Sequence, residues 1–564
     1  MTEQAKPAIL RGKQGMNPQS RFLLWLLIAL VLSVSILAHV PPVSRDALTQ
    51  HLAVPKIYLQ NGKLTELPDI VSSYNPMNLD FLYIIPLYLK HDILAKYIHF
   101  LFALLTAYLI YKYLLRATNQ TYALLGAVFF LSLPIIVKLS ITVYVDLGLI
   151  FFSTSALFSF FKWIEFNFSD KYLLLAGVFC GLAMGTKYNG IITFFILSAM
   201  IPLMYSRLSL TAHNKELNTL GRGLLFIIIS IIIFSPWMVR NSLWTGNPIY
   251  PLYESIFNPV IRDAGALPHT GHFWFRHWVY GESWGQILLM PFRIFFQGKD
   301  NDLQYFDGQL NAALLILPLF SVLNPLNYPR RIRLETGLLV SFSTLYMLIA
   351  FLQTDMRVRY IAPILPPLVI LSIFGLKNAV YLVKSIGITW IRKLAPLAIA
   401  FGFVAIFFTN ANYIIRQFGI VMPFQYLSGK ISRDEYIQMF SPEYASIQYA
   451  NKHTSSEAII LGMFIGHRIY YSDRSILFRD KTLKEMTKNG ADEKQMLSVL
   501  QKLGVTHMLV RYDVFEDWLS GSFTPPQRAL WMRLLKTDMQ LLFSKDGYGL
   551  YEFEYAANQR LKSP

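Results

Sequence analysis

Two acidic residues stand where a carboxylate is conspicuous. Asp146 interrupts ITVYVDLGLIFF between Val145 and Leu147, and an unpaired charge in such surroundings costs on the order of 2–3 kcal/mol unless it is paired or faces water. Asp46, in PPVSRDALTQHL, follows an apolar stretch by a few residues. Its simplest role is to cap a helix predicted over 47–60. Its other role is that of a base beside a hydroxyl. A second set of residues is cationic. Lys187 and Tyr188 occupy GTKYNG, Arg240 lies in SPWMVRNSLWTGNPIYP, and Arg357 and Arg359 lie in QTDMRVRYIAPILPP. Each cation alone fits a side chain snorkelling to an interface. Two acids and several cations at one level would instead suit an anionic phosphate beside a hydroxyl to be deprotonated.

Whether they share a level depends on the elements that carry them. Of 564 residues, 54% are hydrophobic and 15% aromatic, more than one water-soluble core can hide. Apolar runs long enough to cross a bilayer fall near 22–40, 93–115, 121–139, 143–163, 171–186, 190–206, 222–240, 311–326, 333–353, 360–382 and 393–411, which predicts a polytopic α-helical membrane protein of about 11 spans. The shortest runs are 171–186 and 311–326.

Basic residues test the alternation, because short cytoplasmic loops are rich in them. With residues 1–21 inside, the predicted cytoplasmic segments hold Lys6, Arg11, Lys13 and Arg21; Lys112 and Arg116; Lys162 and Lys171; Arg207, Lys215 and Arg222; Arg330, Arg331 and Arg333; and Lys377, Lys384, Arg392 and Lys393. Asp46, Asp146, Lys187, Arg240, Arg357 and Arg359 then all lie on the outer side. The outer segments 41–92 and 241–310 are long and rich in Pro, Tyr and Trp, and 283–297 reads as an interfacial amphipathic helix. The first apolar stretch has no small-residue cleavage site and reads as a retained span.

The net charge of +17 fits basic loops and anionic lipid. No basic stretch interleaves with stacking aromatics, so nucleic acid is not expected as a partner. Cys180 is the sole cysteine and lies in an apolar run, which excludes an intramolecular disulfide. Beyond 411, short apolar runs at 458–463, 507–512 and 548–555 alternate with polar helical stretches. Residues 412–564 therefore read as a soluble extracytoplasmic α/β domain following a transmembrane domain at 22–411. Within it, Ser441 and Pro442 look like the start of a helix.

Other motifs are weak. His269, His272 and His277 lie in HTGHFWFRHW, where irregular spacing and the absence of a nearby Cys favour an interfacial aromatic belt over a metal site. GKDNDLQYFDG lacks the ligand spacing of an EF-hand. No phosphate-cradling Gly-rich loop or nucleophile elbow is present, which removes support for ATP-driven transport and soluble-type hydrolase chemistry.

Asp46 after the first span, YVDLGL with Asp146, the GTKYNG turn, PWMVRNSLWTGNPIYP and RYIAPILPP resemble, in order and sidedness, the GT-C superfamily of integral membrane glycosyltransferases, in the branch of protein O-mannosyltransferases and lipid A aminoarabinose transferases. The resemblance covers most of 20–411. It implies a polyprenyl-phosphate sugar donor, transfer on the outer face of the membrane to a glycan, lipid or protein acceptor, and a first outer loop that builds the site. On this basis Asp46 is the expected base, Asp146 orients the base loop or sugar, and Lys187, Tyr188, Arg240, Arg357 and Arg359 supply the phosphate-binding set. Many members carry paired acids in the first loop, whereas Arg45 and Ala47 flank a single Asp46 here. A divalent metal is compatible with the resemblance but not required by the sequence. The expected location is a bacterial inner (plasma) membrane with a cytoplasmic N-terminus. A lipid or polysaccharide transporter, or a surface-polysaccharide polymerase or ligase, is the alternative. Transporters often carry internal repeats, and none is evident.

Overall fold

A computed structural model describes residues 16–209, 214–258, 271–323, 328–385 and 389–560. Long apolar helices dominate up to residue 421. The first, α1 (Pro18–Ala38), begins with Pro18 at its first position and with the Asn17 side chain accepting from the Ser20 N–H at 2.7 Å, which satisfies one of the donors a helix start leaves open.

Seven helices have the length and apolarity to cross a membrane: Pro18–Ala38, Ile93–Ala117, Asp146–Glu165, Gly190–Leu208, Lys215–Thr245, Arg330–Gln353 and Ala362–Val383. An eighth candidate, Gln120–Ser132 with Pro134–Ser140, is bent by 65°. The bend falls where Pro134, without an N–H, opens a new helix. The other three predicted spans depart from expectation. Those at 171–186 and 311–326 correspond to shorter helices, Asp170–Thr186 and Ala313–Val322. The one at 393–411 falls within Thr389–Val421, where many side chains lie outside the described residues.

The short helix Asp170–Thr186 is held by close packing. Gly177 and Gly181, four residues apart, meet the helix Lys215–Thr245, and a Cβ on Gly181 would lie 2.6 Å from both the Ser230 carbonyl oxygen and Ile233 Cβ. Small residues at this spacing let two backbones approach where lipid offers no hydrophobic drive.

Chain direction separates the two ends of the bundle. Arg116 ends one helix, Glu165 ends another, and Arg331 begins a third; they meet in one network. Arg116 donates to Glu165 at 2.9 Å, Arg331 pairs with both Glu165 and Glu335, and Tyr113 donates to Glu335 at 2.8 Å. These belong to the basic loops predicted on one side. Asp146, Lys187 and Arg359 mark the opposite ends of the same hairpins.

Past the last long helix the chain forms a five-stranded sheet in the order β2-β1-β3-β5-β4. Its strands are β1 (Ile459–Met463), β2 (Ser475–Leu477), β3 (Val505–Arg511), β4 (Met539–Lys545) and β5 (Tyr548–Phe553). β1 runs parallel to β2 and β3, while β5 is antiparallel to β3 and β4. Met463, Met508, Val510, Trp531 and Phe553 form part of its core. The three short apolar runs read from the sequence supply β1, β3 and β5. The helix expected at Ser441 and Pro442 begins instead at Tyr444, with Glu443 at its N-cap. The interfacial stretch 283–297 is broken into Trp284–Leu288 and Met290–Arg293, and it exposes Trp284, Leu288, Leu289, Phe292 and Phe296.

Candidate active site

After α1 the chain enters a π-helical turn, Ala47–His51, with Asp46 at its N-cap. The Asp46 side chain makes no capping bond. It accepts from Arg359 Nη1 at 2.5 Å instead. The wide turn closes with the Leu52 N–H on the Ala47 carbonyl, and π turns of this kind recur at functional sites. Arg359 comes from the short turn Val358–Tyr360, anchored by the Val358 N–H donating to the Phe306 carbonyl at 2.8 Å. Its guanidinium lies 5.3 Å from the Tyr144 ring and 5.4 Å from that of Tyr360, within cation–π range. Burial pushes the Asp46 carboxyl up, but the charge of Arg359 and its hydrogen bond outweigh it and hold the carboxyl below the usual range. Burial likewise works against the Arg359 charge, and Asp46 and Asp146 overcome it to raise Arg359 above its ordinary value.

The second acid is also paired. Asp146 is fully buried in the first turn of Asp146–Glu165 and accepts from Lys187 Nζ at 2.6 Å. Lys187 reaches it because the helix Asp170–Thr186 stops there in extended backbone, and because Gly190 lies so close to the Ala183 backbone that a Cβ would collide. That contact explains why GTKYNG makes so tight a turn. His99 fixes the start of the Asp146 helix. Its Nδ1 faces the Leu139 and Thr142 carbonyls at 2.9 and 3.0 Å, and its Nε2 accepts from the Leu147 N–H at 3.0 Å. The Lys187 ammonium also lies 4.9 Å from the Tyr360 ring.

Asp46, His51, Asp80, Lys187, Tyr188 and Arg359 are among the residues that line a cavity of ≈ 520 Å³, whereas Asp146 is fully buried behind Lys187 and does not line it. Asp146 Oδ2 and Arg359 Nε are buried with no hydrogen-bond partner, so both charged side chains retain bonding capacity. Tyr188 is partly committed to the wall, since its hydroxyl donates to the Tyr250 carbonyl at 2.8 Å and accepts from Asn241 at 3.1 Å.

Two of the cations expected at the cavity are placed elsewhere. Arg240 does not line it. Its Nη2 donates to the Asn75 carbonyl at 3.1 Å and to Asn241 Oδ1 at 2.8 Å, and its guanidinium lies against Trp237 and Trp244. It therefore braces the segment that forms the cavity wall. Arg357 pairs with Asp355 at 2.8 Å and faces an adjoining chamber of ≈ 440 Å³, which it lines with Arg45, Asp46, Gln50 and His467. Asp46 and Gln50 border both chambers. The segment around His467 also touches the loop that carries Asp46, with the Ile469 and Tyr470 N–H groups both donating to the Leu48 carbonyl at 3.1 Å.

Sequence reasoning missed His51 and Asp80. Both line the cavity, and His51 Nδ1 lies 2.6 Å from Asp80 Oδ1. Asp80 carried a signal like that of Asp146, a charge within the apolar run NLDFLYIIPL. Of the loop histidines, His272 Nε2 faces the Phe351 carbonyl and His277 Nδ1 the Glu282 carbonyl, while His269 lies outside the described residues. Among the described residues no three His, Cys, Asp or Glu side chains converge as metal ligands.

The helical bundle, the loop after the first helix and the cation-paired acids at one end define a polytopic membrane protein of the GT-C fold. The crystal structure of ArnT from Cupriavidus metallidurans bound to undecaprenyl phosphate shares the fold, with a TM-score of 0.54 and 13% identity over 95% of this chain and 98% of that one. The apo structure of ArnT from the same organism gives a TM-score of 0.50 and 12% identity over 94% and 98%. Residues 69–242 match the family model described as dolichyl-phosphate-mannose-protein mannosyltransferase. The resemblance to the GT-C superfamily read from the sequence is thereby borne out. No curated protein matches the chain.

Proposed function

We propose that this protein is a glycosyltransferase that moves a sugar from a polyprenyl-phosphate donor to the hydroxyl of a glycan, lipid or protein. The observation that carries this reading is one cavity at one end of the bundle lined by Asp46, Arg359 and Lys187, with Asp46 paired to Arg359 and Lys187 held from behind by the buried Asp146. The fold shared with a structure bound to undecaprenyl phosphate and the mannosyltransferase family match support the lipid-linked donor.

In this reading the acceptor oxygen attacks the anomeric carbon while the bond from that carbon to the phosphate breaks, its electron pair remaining on the phosphate. Arg359 and Lys187 stabilise the anion that leaves. A phosphate entering the cavity competes with Asp46 for Arg359 and frees the carboxylate to take the hydroxyl proton. Asp146 holds Lys187 in place. Arg240 acts through the wall segment and Arg357 from the adjoining chamber, which places Arg357 on the acceptor side. No step is routed through a metal.

The reading places the cavity on the extracytoplasmic face, with the sheet region 412–564 forming a domain over it, in the inner membrane of a bacterium. The experiment is transfer in detergent from synthetic polyprenyl-phosphate hexoses and pentoses, with release of polyprenyl phosphate as the readout. Asp46→Asn should lower kcat about 10²–10⁴-fold, the range of an acid–base group, while keeping the wild-type elution profile. Undiminished turnover in that variant would remove Asp46 from the chemistry.

A further inference from the structure

His51 and Asp80 form the most secluded acid–base pair of the cavity. They are exposed by only 6% and 2%, and Asp80 Oδ1 stands 2.6 Å from His51 Nδ1. A carboxylate at that distance keeps a proton on Nδ1 and leaves the lone pair at Nε2. Nε2 is within 3.1 Å of the Gln50 amide nitrogen, and Gln50 itself lines the cavity. An acid that fixes the tautomer of an imidazole also stabilises the imidazolium formed when that imidazole accepts a proton. A purely structural His–Asp bond would have no need to border a cavity shared with Asp46, Lys187 and Arg359.

The proton taken from an acceptor hydroxyl also needs a destination. An ordinary carboxylate has a pKa of about 4 and an imidazole one of about 6.5, so near neutral pH the proton does not rest on a carboxylate when an imidazole is within reach. Asp46 stands at the N-cap and His51 at the end of a single turn, Ala47–His51, so the two side chains belong to one turn of the same loop.

On the transfer reading above, we propose that His51, oriented by Asp80, receives the proton removed from the acceptor. The hydroxyl proton passes to Asp46 as the new bond to the anomeric carbon forms and the bond to phosphate breaks, then moves from Asp46 to Nε2 of His51. The imidazolium returns it to water at the cavity mouth and the neutral tautomer is restored. Asp80 is a positioning residue in this scheme. The charged or titratable groups facing His51 are Asp80 from the helix Asn78–Tyr88, Asp46 from its own turn, Tyr144, whose ring lies 5.8 Å away, and His99 from the helix Ile93–Ala117.

The test compares wild type, His51→Gln and Asp80→Asn in the transfer assay at neutral pH, with and without added imidazole. In His51→Gln kcat drops about 10²-fold at neutral pH, KM for the donor stays near wild type, and added imidazole restores part of the rate. In Asp80→Asn, which leaves the imidazole without its orienting carboxylate, kcat falls by less than in His51→Gln and KM for the donor again stays near wild type. A His51→Gln enzyme with the wild-type kcat would overturn the relay and leave the transfer reading intact, as would a kcat loss that imidazole does not relieve. A wild type that makes no glycoside from any donor of the panel would overturn both. Binding of undecaprenyl phosphate, read as thermal stabilisation, separates a folded inactive variant from a collapsed one.

Discussion

At the level of single residues, the site is organised as opposite charges that hold one another where lipid would punish an isolated ion. Removing one member of the Asp146–Lys187 couple leaves the other buried, and breaking a buried pair costs roughly 3–5 kcal/mol. Asp146→Asn and Lys187→Met should therefore each lower thermal stability, while the double variant recovers part of the loss. A double-mutant cycle in melting temperature checks this, and simple additivity would count against the couple. The Asp46–Arg359 pair makes a prediction in pH. The folded carboxyl titrates below its unfolded value, so its contribution is complete above about pH 4 and fades as pH falls through the lower folded value. In Arg359→Gln burial is left without its main opponent. The melting temperature of wild type should therefore exceed that of Arg359→Gln by more near pH 7 than near pH 4, and a constant difference would dissociate the two residues. Asp46, Asp146, Lys187 and Arg359 were legible in the sequence because charges next to apolar runs are rare. His51 was not, since nothing in DALTQHL distinguishes a buried imidazole from an interfacial one until the turn and Asp80 bring them together. Arg240 illustrates the converse. Its position beside a span suggested a phosphate ligand, yet its bonding goes to backbone carbonyls and its faces to indole rings.

At the level of elements, the helix Asp170–Thr186 decides where Lys187 lies. Only 17 residues long, it depends on the Gly177 and Gly181 approach to its neighbour. Gly181→Leu forces the two backbones apart at the Ser230 carbonyl, at a cost of about 1–3 kcal/mol for overpacking. Its melting temperature should fall, and transfer should fall with it, because Lys187 moves away from Asp146. Retained stability would mean that the helices do not touch there. Span length and loop charge made the order of the helices readable from the sequence. They did not reveal that Pro134 divides one predicted span with a bend or that Pro318 lies inside the ten-residue helix Ala313–Val322, because hydropathy averages over such breaks. In the C-terminal region the apolar strands were visible, but β2 and β4 were not. β2 is only three residues long, and β4, MQLLFSK, has a short apolar run but buries only Met539, so its Leu and Phe side chains did not stand out as a strand's inner face.

At the level of the whole molecule, the two ends of the bundle differ in kind. One end holds the Arg116, Glu165, Arg331 and Glu335 network, and the other holds the cavity. The C-terminal region is tied to the cavity end: Lys56 Nζ donates to the Tyr470 and Ser472 carbonyls and to Asp473 at 2.8–2.9 Å, and Arg433 pairs with Asp92 at 2.6 Å. Lys56→Ala should loosen this junction, seen as faster amide hydrogen exchange at Ile469 and Tyr470 with unchanged exchange in β3. The central claim is glycosyl transfer, and its rival is lipid translocation. Proteoliposomes containing the purified protein and a polyprenyl-phosphate hexose in both leaflets, supplied with a hydroxyl acceptor, decide between them. The account predicts glycosidic product and polyprenyl phosphate appearing in equal amounts, both lost in Asp46→Asn. Movement of the intact donor between leaflets with no glycoside formed would contradict it.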